Sequence, residues 1–549
     1  MTRKILIALS LASLCFLPAW RDILDPATNK NIYYARSDPR WIELLAVTCN
    51  ILLVSALLFP VVSVALRAGR GLAATAARVA LLGVALFTLN ALRVQFDLLY
   101  FPNLAAKLGR AGAVLLVLAL LAAIAFAALR LGLARLTAGV AAAYLILSPF
   151  TLVAYAQAIM MSARYVGKLT PAASAAPARR AGAERGARVL WLLFDEMEYR
   201  LLFDERPPTL KAPEFDRLLA ASLHASHAYP PASYTELSLP ALTTGRLVAK
   251  AWPEGPSELL IQYDGSNEKV GWTTQPTIFG RITGAGRTVA LSGWYHPYCR
   301  LFGASLTKCF DGNPVDQSVT DKMFRQAEVS LLTLPRLYRM MPEELRAARL
   351  AKGLRAYGTL YSDLMGAAKA YATDPELDLV FVHLQVPHPP NFYDRSQGRF
   401  AFERKNSYLD SLALADRALG ELRGEMEAAG LWDSTAVLIS SDHWWRGKEL
   451  HDPAGKKPDF NPFWSEEDKA LLPEVVDERV PFILKLAGQR QGAAYEQPFN
   501  TVLTHDLLLA LLRGEIADPA AAAAWLDAHK TIAKSPYYQL EAGGLHLPQ

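Results

Sequence analysis

Apolar residues crowd the first 160 positions of the chain and thin out afterwards. Five stretches, roughly 4–20, 42–66, 72–92, 112–129 and 136–157, each approach the ~20 residues that cross a bilayer as a helix. The first follows Thr2-Arg3-Lys4 and has the outline of a signal peptide. Its end, Cys15-Phe16-Leu17-Pro18-Ala19-Trp20, lacks a small-x-small cleavage site, and four more apolar stretches follow, so it reads as a retained span. Residues 160–169 read as an amphipathic connector along the membrane surface. Residues 171–187, rich in Ala, Arg, Pro and Gly, read as a linker. The expected organisation is therefore a five-helix transmembrane region over 1–159, a connector and linker over 160–187, and a soluble domain over 188–549.

From 188 onward, short apolar runs alternate with helical periods. Continuous apolar runs at 189–194, 288–291, 379–383, 435–440 and 480–486 predict buried strands. Stretches 213–223, 279–283, 408–429 and 505–512 predict helices. This alternation predicts an α/β/α domain built on a mostly parallel sheet.

Lysine and arginine placement predicts the orientation. With the N-terminus inside, the loops holding Arg67 and Arg70, and Arg130 and Arg135, are also inside, so five spans deliver the soluble domain to the outer face. Arg93, Lys107 and Arg110 run against this pattern. The adjoining Leu99-Tyr100-Phe101-Pro102 reads as interfacial, where such cations meet lipid phosphates. The expected location is the inner, cytoplasmic membrane, with the catalytic domain on its periplasmic or extracellular face. The net charge of +5 comes from mixed signs with no long basic block, which argues against a nucleic-acid partner. Of four cysteines, Cys15 and Cys49 fall in apolar stretches. Cys299 and Cys309 lie ten apart, and a disulfide is expected if their region is extracytoplasmic, the alternative being two free thiols.

The chemistry-bearing residues sit at predicted strand ends and helix starts, where open α/β sheets hold their ligands. Asp195 follows the first strand; the bland alternative is a helix N-cap. Glu196 is a second carboxylate candidate, and Glu198 is expected to be solvated. Thr235 precedes Ser238-Leu239-Pro240, so a helix is expected to begin just after it, placing its hydroxyl at a helix N-terminus; the alternative is a simple cap. Asp442-His443 ends the strand at 435–440 and offers an oxygen and a nitrogen to a divalent cation. His388 is held between Pro387 and Pro389 and suits proton transfer to a leaving oxygen. His383, His451 and His296, the last in an aromatic loop, are candidates to line the substrate pocket; the alternatives are a satisfied core residue for His383, and a second-metal ligand or plain exposure for His451. Thr243 and Thr244 are expected to be structural.

Phe194-Asp195, Thr235 through Gly245, His383 through Pro389, Tyr408 through Asp416, Ser441-Asp442-His443 and Val480-Pro481-Phe482 together resemble the alkaline phosphatase and sulfatase superfamily. The resemblance is greatest to its membrane-anchored phosphoethanolamine and phosphoglycerol transferases. It implies that Thr235 is the nucleophile and that Asp195, Thr235, Asp442 and His443 hold a divalent metal, zinc or manganese, with a second ion left open. It implies that His388 faces the substrate. Formylglycine-dependent sulfatases require Cys or Ser where this chain has Thr235, which disfavours that route. Transferases of the family carry a small residue after the Asp-His pair. Here Trp444-Trp445-Arg446 follows and predicts an unusual pocket rim.

The function expected from this reading is a metal-dependent phosphotransferase. It would move a phospholipid head-group phosphoryl unit through a phosphothreonine to an envelope glycan or lipid acceptor. Two alternatives stand beside it: a hydrolase of phosphate or sulfate esters using the same residues, and an inactive lipid-binding regulator.

Overall fold

Arg188–Asp195 forms a strand in which all eight side chains are buried, so its continuous apolar run has a core on both faces. It is the centre of the domain. The computed structural model describes residues 1–25, 34, 41–67, 69, 71–95, isolated positions between 108 and 126, 130–165, 187–313, 318–332, 342–447, 464–531 and 533–538. These fall into two compact units. One joins Met1–Asn29, Asp38–Gly167 and Asp316–Met341; the other joins Lys30–Ser37, Lys168–Val315 and Pro342–Gln549.

The second unit is an α/β domain on an eight-stranded sheet. Its strands are β1 (Arg188–Asp195), β2 (Leu223–Ala225), β3 (Val289–Trp294), β4 (Lys308–Gly312), β5 (Leu379–Pro387), β6 (Thr435–Ser441), β7 (Phe482–Lys485) and β8 (Ala493–Tyr495). The spatial order is β8-β2-β7-β6-β1-β5-β3-β4. All neighbours are parallel except β7, which runs antiparallel to both β6 and β2. Side-chain alternation along β1 divides the core. Val189, Trp191 and Leu193 enter one apolar cluster, while Leu190, Leu192 and Phe194 enter the other. Helices Glu343–Ala372 and Tyr408–Ala428 pack into the second cluster, the latter started by a Ser407–Asp410 capping box. Cys299 and Cys309 form a disulfide with Cα atoms 5.7 Å apart.

Several strands and helices stand close to their predicted limits, with differences at the ends. The strand expected at 379–383 runs to Pro387, so His383 sits mid-strand rather than at a strand end. The helix expected over 213–223 stops at Leu219, because Leu223 is taken into β2.

In the first unit, three helices are long and apolar enough to cross a membrane: Trp41–Ala65, Leu72–Gln95 and Leu133–Ala163. The bent pair Thr2–Cys15 and Leu17–Leu24 makes up to four, so the described residues carry three to four such helices rather than five. Pro18 stands in the first turn of the second half and has no N–H to continue the ladder, which accounts for the 69° break at Phe16. The stretch expected at 112–129 lies largely outside the described residues, as do Arg70, 99–102, Lys107, Arg110 and all but the last residue of the 171–187 linker. The last helix continues to Tyr165, through the start of the expected connector.

Candidate active site

The register of β1 on β6 sets Phe194 opposite Ser441, so Asp195 and Asp442 leave adjacent strands side by side. Ser441 Oγ accepts the Met197 N–H at 2.8 Å and lies 2.9 Å from the Phe194 carbonyl, stitching the two strand ends together. Asp442 Oδ1 is committed to the backbone amides of Glu196 (3.1 Å) and His443 (2.8 Å), and its Oδ2 has no hydrogen bond. Neither oxygen of Asp195 has one. An N-cap carboxylate would accept a backbone amide, so the capping alternative for Asp195 fails; the next helix is preceded by Glu198.

Thr235 is the first residue of the helix Thr235–Thr244, with Tyr234 in the cap position and no side-chain cap. It thus lies inside the helix by one residue and is not itself the cap. Pro240 falls in the helix middle rather than its first turn. The helix closes at Gly245, whose φ of +72° and 3.0 Å approach of a virtual Cβ to His505 Nδ1 both call for glycine. Thr235 Oγ1 lies 3.3 Å from His443 Nε2. Thr243 and Thr244 spend their hydroxyls on helix carbonyls.

The imidazole of His443 decides what this cluster can hold. Its Nδ1 lies 2.9 Å from the Trp444 carbonyl, which only accepts, so the proton is on Nδ1. Nε2 therefore presents a lone pair toward Asp195 Oδ1 at 3.6 Å and Asp442 Oδ2 at 3.5 Å. One lone pair and two carboxylates, all buried, face one another, with the Thr235 hydroxyl the donor at their edge. Burial, then the neighbouring Asp442 and Glu196 carboxylates, push the Asp195 carboxyl well above the ordinary range. Burial pushes Asp442 up to about 7, and burial holds the His443 imidazole well below its usual value. Such an arrangement is costly for protein alone and natural around a cation. Ligand atoms of Asp195, Asp442 and His443 all lie within 4.8 Å of one another, as a metal site requires.

Glu196 is held at φ +64°, a rare conformation for a side-chain-bearing residue. Its Oε1 accepts from the Arg446 backbone N–H (3.0 Å) and Nε (3.2 Å), so this carboxylate is turned to an arginine. The Arg446 guanidinium also stacks 4.4 Å above the Tyr234 ring, beside the nucleophile candidate. Trp444, Trp445 and Arg446, expected to shape the pocket rim, are all buried. Glu198 is buried and pairs with Arg200 at 3.0 Å, contrary to its expected solvation; burial pushes it up to about 7.

The histidines divide. His388 is partly exposed, with Nε2 3.7 Å from Glu196 Oε2 and Nδ1 against the Pro389 carbonyl; burial lowers its pKa and Glu196 opposes this. His383 is fully buried, bonded through Nδ1 to the Tyr298 hydroxyl (2.9 Å), with Nε2 3.9 Å from Asp195 Oδ2. His296 is buried too. Its Nδ1 meets the Tyr34 hydroxyl at 2.7 Å, and burial lowers its pKa to about 3. His451 lies outside the described residues. Sequence reasoning missed the Arg446–Glu196 link and the role of Ser441. The only available signal was an arginine three residues after the Asp-His pair.

A family model described as sulfatase matches residues 188–512, more than half of the chain and the stretch that carries every strand above. The chain belongs to the sulfatase family. It is accordingly an enzyme with a sulfatase-like, ester-processing domain. Solved structures similar to it include the PsFucS1 sulfatase from Pseudoalteromonas sp., at 16% identity over 60% of this chain and 68% of that one, with a TM-score of 0.41. The phosphonate monoester hydrolase of Agrobacterium radiobacter is 13% identical over 60% of this chain and 77% of its own, with a TM-score of 0.35. A protein in the alkaline phosphatase superfamily from Vibrio parahaemolyticus is 13% identical over 61% and 68%, also at 0.35. Comparison with curated proteins gives no match.

Proposed function

We propose that this sulfatase-family enzyme is a membrane-anchored, metal-dependent phosphotransferase of the phosphoethanolamine and phosphoglycerol transferase type. The observation that carries the reading is the hydroxyl of Thr235, 3.3 Å from His443 Nε2 at the edge of the Asp195–Asp442–His443 cluster. Asp195, Asp442, His443 and the Thr235 hydroxyl would hold one divalent cation, zinc or manganese, which lowers the hydroxyl's pKa and offsets negative charge at phosphorus. Thr235 Oγ1 attacks the phosphorus of a phospholipid head group, and the bond to the diacylglycerol oxygen breaks. Arg446, fixed by Glu196 and Tyr234, supplies positive charge for the non-bridging oxygens. His388, with its proton on Nδ1, takes the hydroxyl proton at Nε2 and returns it to the leaving oxygen. An acceptor alcohol on an envelope glycan or lipid then displaces Thr235 from phosphorus. The apolar helices keep enzyme and lipid donor in the same two dimensions, at high effective concentration. The domain faces the outer leaflet in this reading.

The family match favours a second reading, in which water is the acceptor and an ester is hydrolysed. The full chain in vesicles with head-group-labelled phospholipid separates the two. Transfer yields diacylglycerol, a labelled acceptor and a Thr235 peptide heavier by the transferred group. Free head-group phosphate with no labelled acceptor would favour hydrolysis. Lipid binding with no turnover would defeat both.

A further inference from the structure

One helix of the membrane unit is inside out. Val319–Leu332 belongs to the unit of apolar helices, although in sequence it lies within the stretch matched by the sulfatase model. Its buried stripe is polar: Lys322, Gln326 and Ser330 recur every four residues, and Lys322 is only 1% exposed. Its exposed residues include Phe324 at 72% and, seven positions on, Leu331 at 46%, with Val329 beside them. Asp321, Arg325 and Glu328 flank these faces, half-buried, and each makes further polar contacts. A helix folded against water turns the opposite way, because each exposed apolar side chain forfeits the favourable burial of its surface.

The polar stripe has a matching surface on Trp41–Ala65. Lys322 Nζ meets Glu43 Oε1 at 2.9 Å, and Gln326 Nε2 donates to the Glu43 carbonyl at 3.2 Å. Asn50 Nδ2 donates to the Met323 carbonyl at 3.0 Å and to Gln326 Oε1 at 3.2 Å. Asn50 is nine residues beyond Trp41, about 13 Å along the helix axis. This network therefore reaches well into a helix that is long and apolar enough to cross a membrane. In hydrocarbon, polar groups at such depth must find partners within the protein, and the apolar side turns outward.

We propose that Val319–Leu332 is a re-entrant, membrane-embedded helix whose Phe324 and Leu331 lie against lipid acyl chains. Its 14 residues span about 21 Å, too short to cross a ~30 Å hydrocarbon core. Both flanking segments, Lys168–Val315 and Pro342–Gln549, belong to the one catalytic unit, as a re-entrant segment requires. The occupant is lipid because the exposed face is continuous in character with that of Trp41–Ala65, where Leu45, Leu52, Leu53 and Leu57 are also exposed. The catalytic sequence thus carries its own membrane contact, separate from the N-terminal helices. This holds whether the enzyme transfers or hydrolyses.

The test uses the full chain in phosphatidylethanolamine–phosphatidylglycerol vesicles. A photocrosslinking benzoylphenylalanine is placed at position 324 or 331, with exposed Glu427 of the catalytic unit as the control site. Peptides of lipid-adduct mass at 324 and 331, well above the yield at 427, are expected. Crosslinks to a second copy or another polypeptide, or lipid yields no higher than at 427, would overturn the proposal. Hydroxyl-radical footprinting of the unaltered chain gives an independent readout. Phe324 should be protected like buried Phe215 while Val475, 82% exposed, is oxidised; oxidation of Phe324 at the rate of an exposed residue would overturn it.

Discussion

The two units bury opposite things. In the catalytic unit, Leu345 and Val475 are the large apolar residues exposed among those described, and the interior is closed by two apolar clusters. In the membrane unit, exposed leucines run along Trp41–Ala65 and Leu72–Gln95, while Asn50, Arg78 and Lys322 are inside. Water and lipid impose opposite rules on a surface, and the exposed leucines suit the second. The buried polar groups differ as well. Arg78 is bonded to the Ala65 and Arg67 carbonyls, and Lys322 to Glu43, so these charges are structurally satisfied. Asp195 and Asp442 in the catalytic unit carry oxygens with no donor, gathered at one sheet edge. Satisfied polar groups hold a fold together, whereas unsatisfied ones gathered at one point mark chemistry.

The largest expected break in this contrast is at Thr235, the proposed nucleophile. Thr235→Ala should lower turnover by about 10³-fold or more while leaving the helix and fold intact, since Tyr234 holds the cap position. Single-turnover kinetics with labelled phospholipid measure it; full activity would end the covalent mechanism. Arg446→Ala comes next, with kcat/KM expected to fall about 10²-fold and Arg446→Lys to recover part of it. An unchanged kcat/KM would mean that Arg446 only props Glu196. The smallest effects separate the two solvents. Leu438→Ala, in the catalytic core, should cost about 2–5 kcal/mol. Leu53→Ala, exposed in the membrane unit, should cost about 0.5 kcal/mol or less. Thermal unfolding in detergent compares them, and equal losses would dissolve the distinction drawn here.

Much of this was legible in the chain. The run Val189–Phe194 read as a doubly buried strand, and Asp195 after it as a sheet-edge carboxylate beside the helix-cap alternative that the structure removes. Asp442-His443 was legible for the same reason. Periodicity could not reveal which face of Val319–Leu332 meets solvent, because an inverted amphipathic helix has the same period as an ordinary one. Nor could it show that β7 runs antiparallel, since a buried apolar run carries no direction. The Glu196–Arg446 pair joins residues 250 apart through a positive-φ backbone, and Glu198 is buried by tertiary packing that a polar loop pattern conceals. The break at Phe16 was present as Pro18 but hidden inside an apolar average.

The metal-free site carries a further signature in pH. Because burial raises Asp442 to about 7, above its unfolded value, the metal-free fold should lose stability as pH rises from about 4 to about 7. A bound cation, which needs both carboxylates ionised, should reverse that trend and release protons as it binds. The decisive measurement is metal content of the purified full chain after equilibration with zinc or manganese, beside Asp442→Asn and His443→Ala. One ion per chain, lost in both variants and held less tightly as pH falls and the carboxylates protonate, is the expected result. Unaltered binding in both variants, or an active enzyme with no bound ion, would contradict the account.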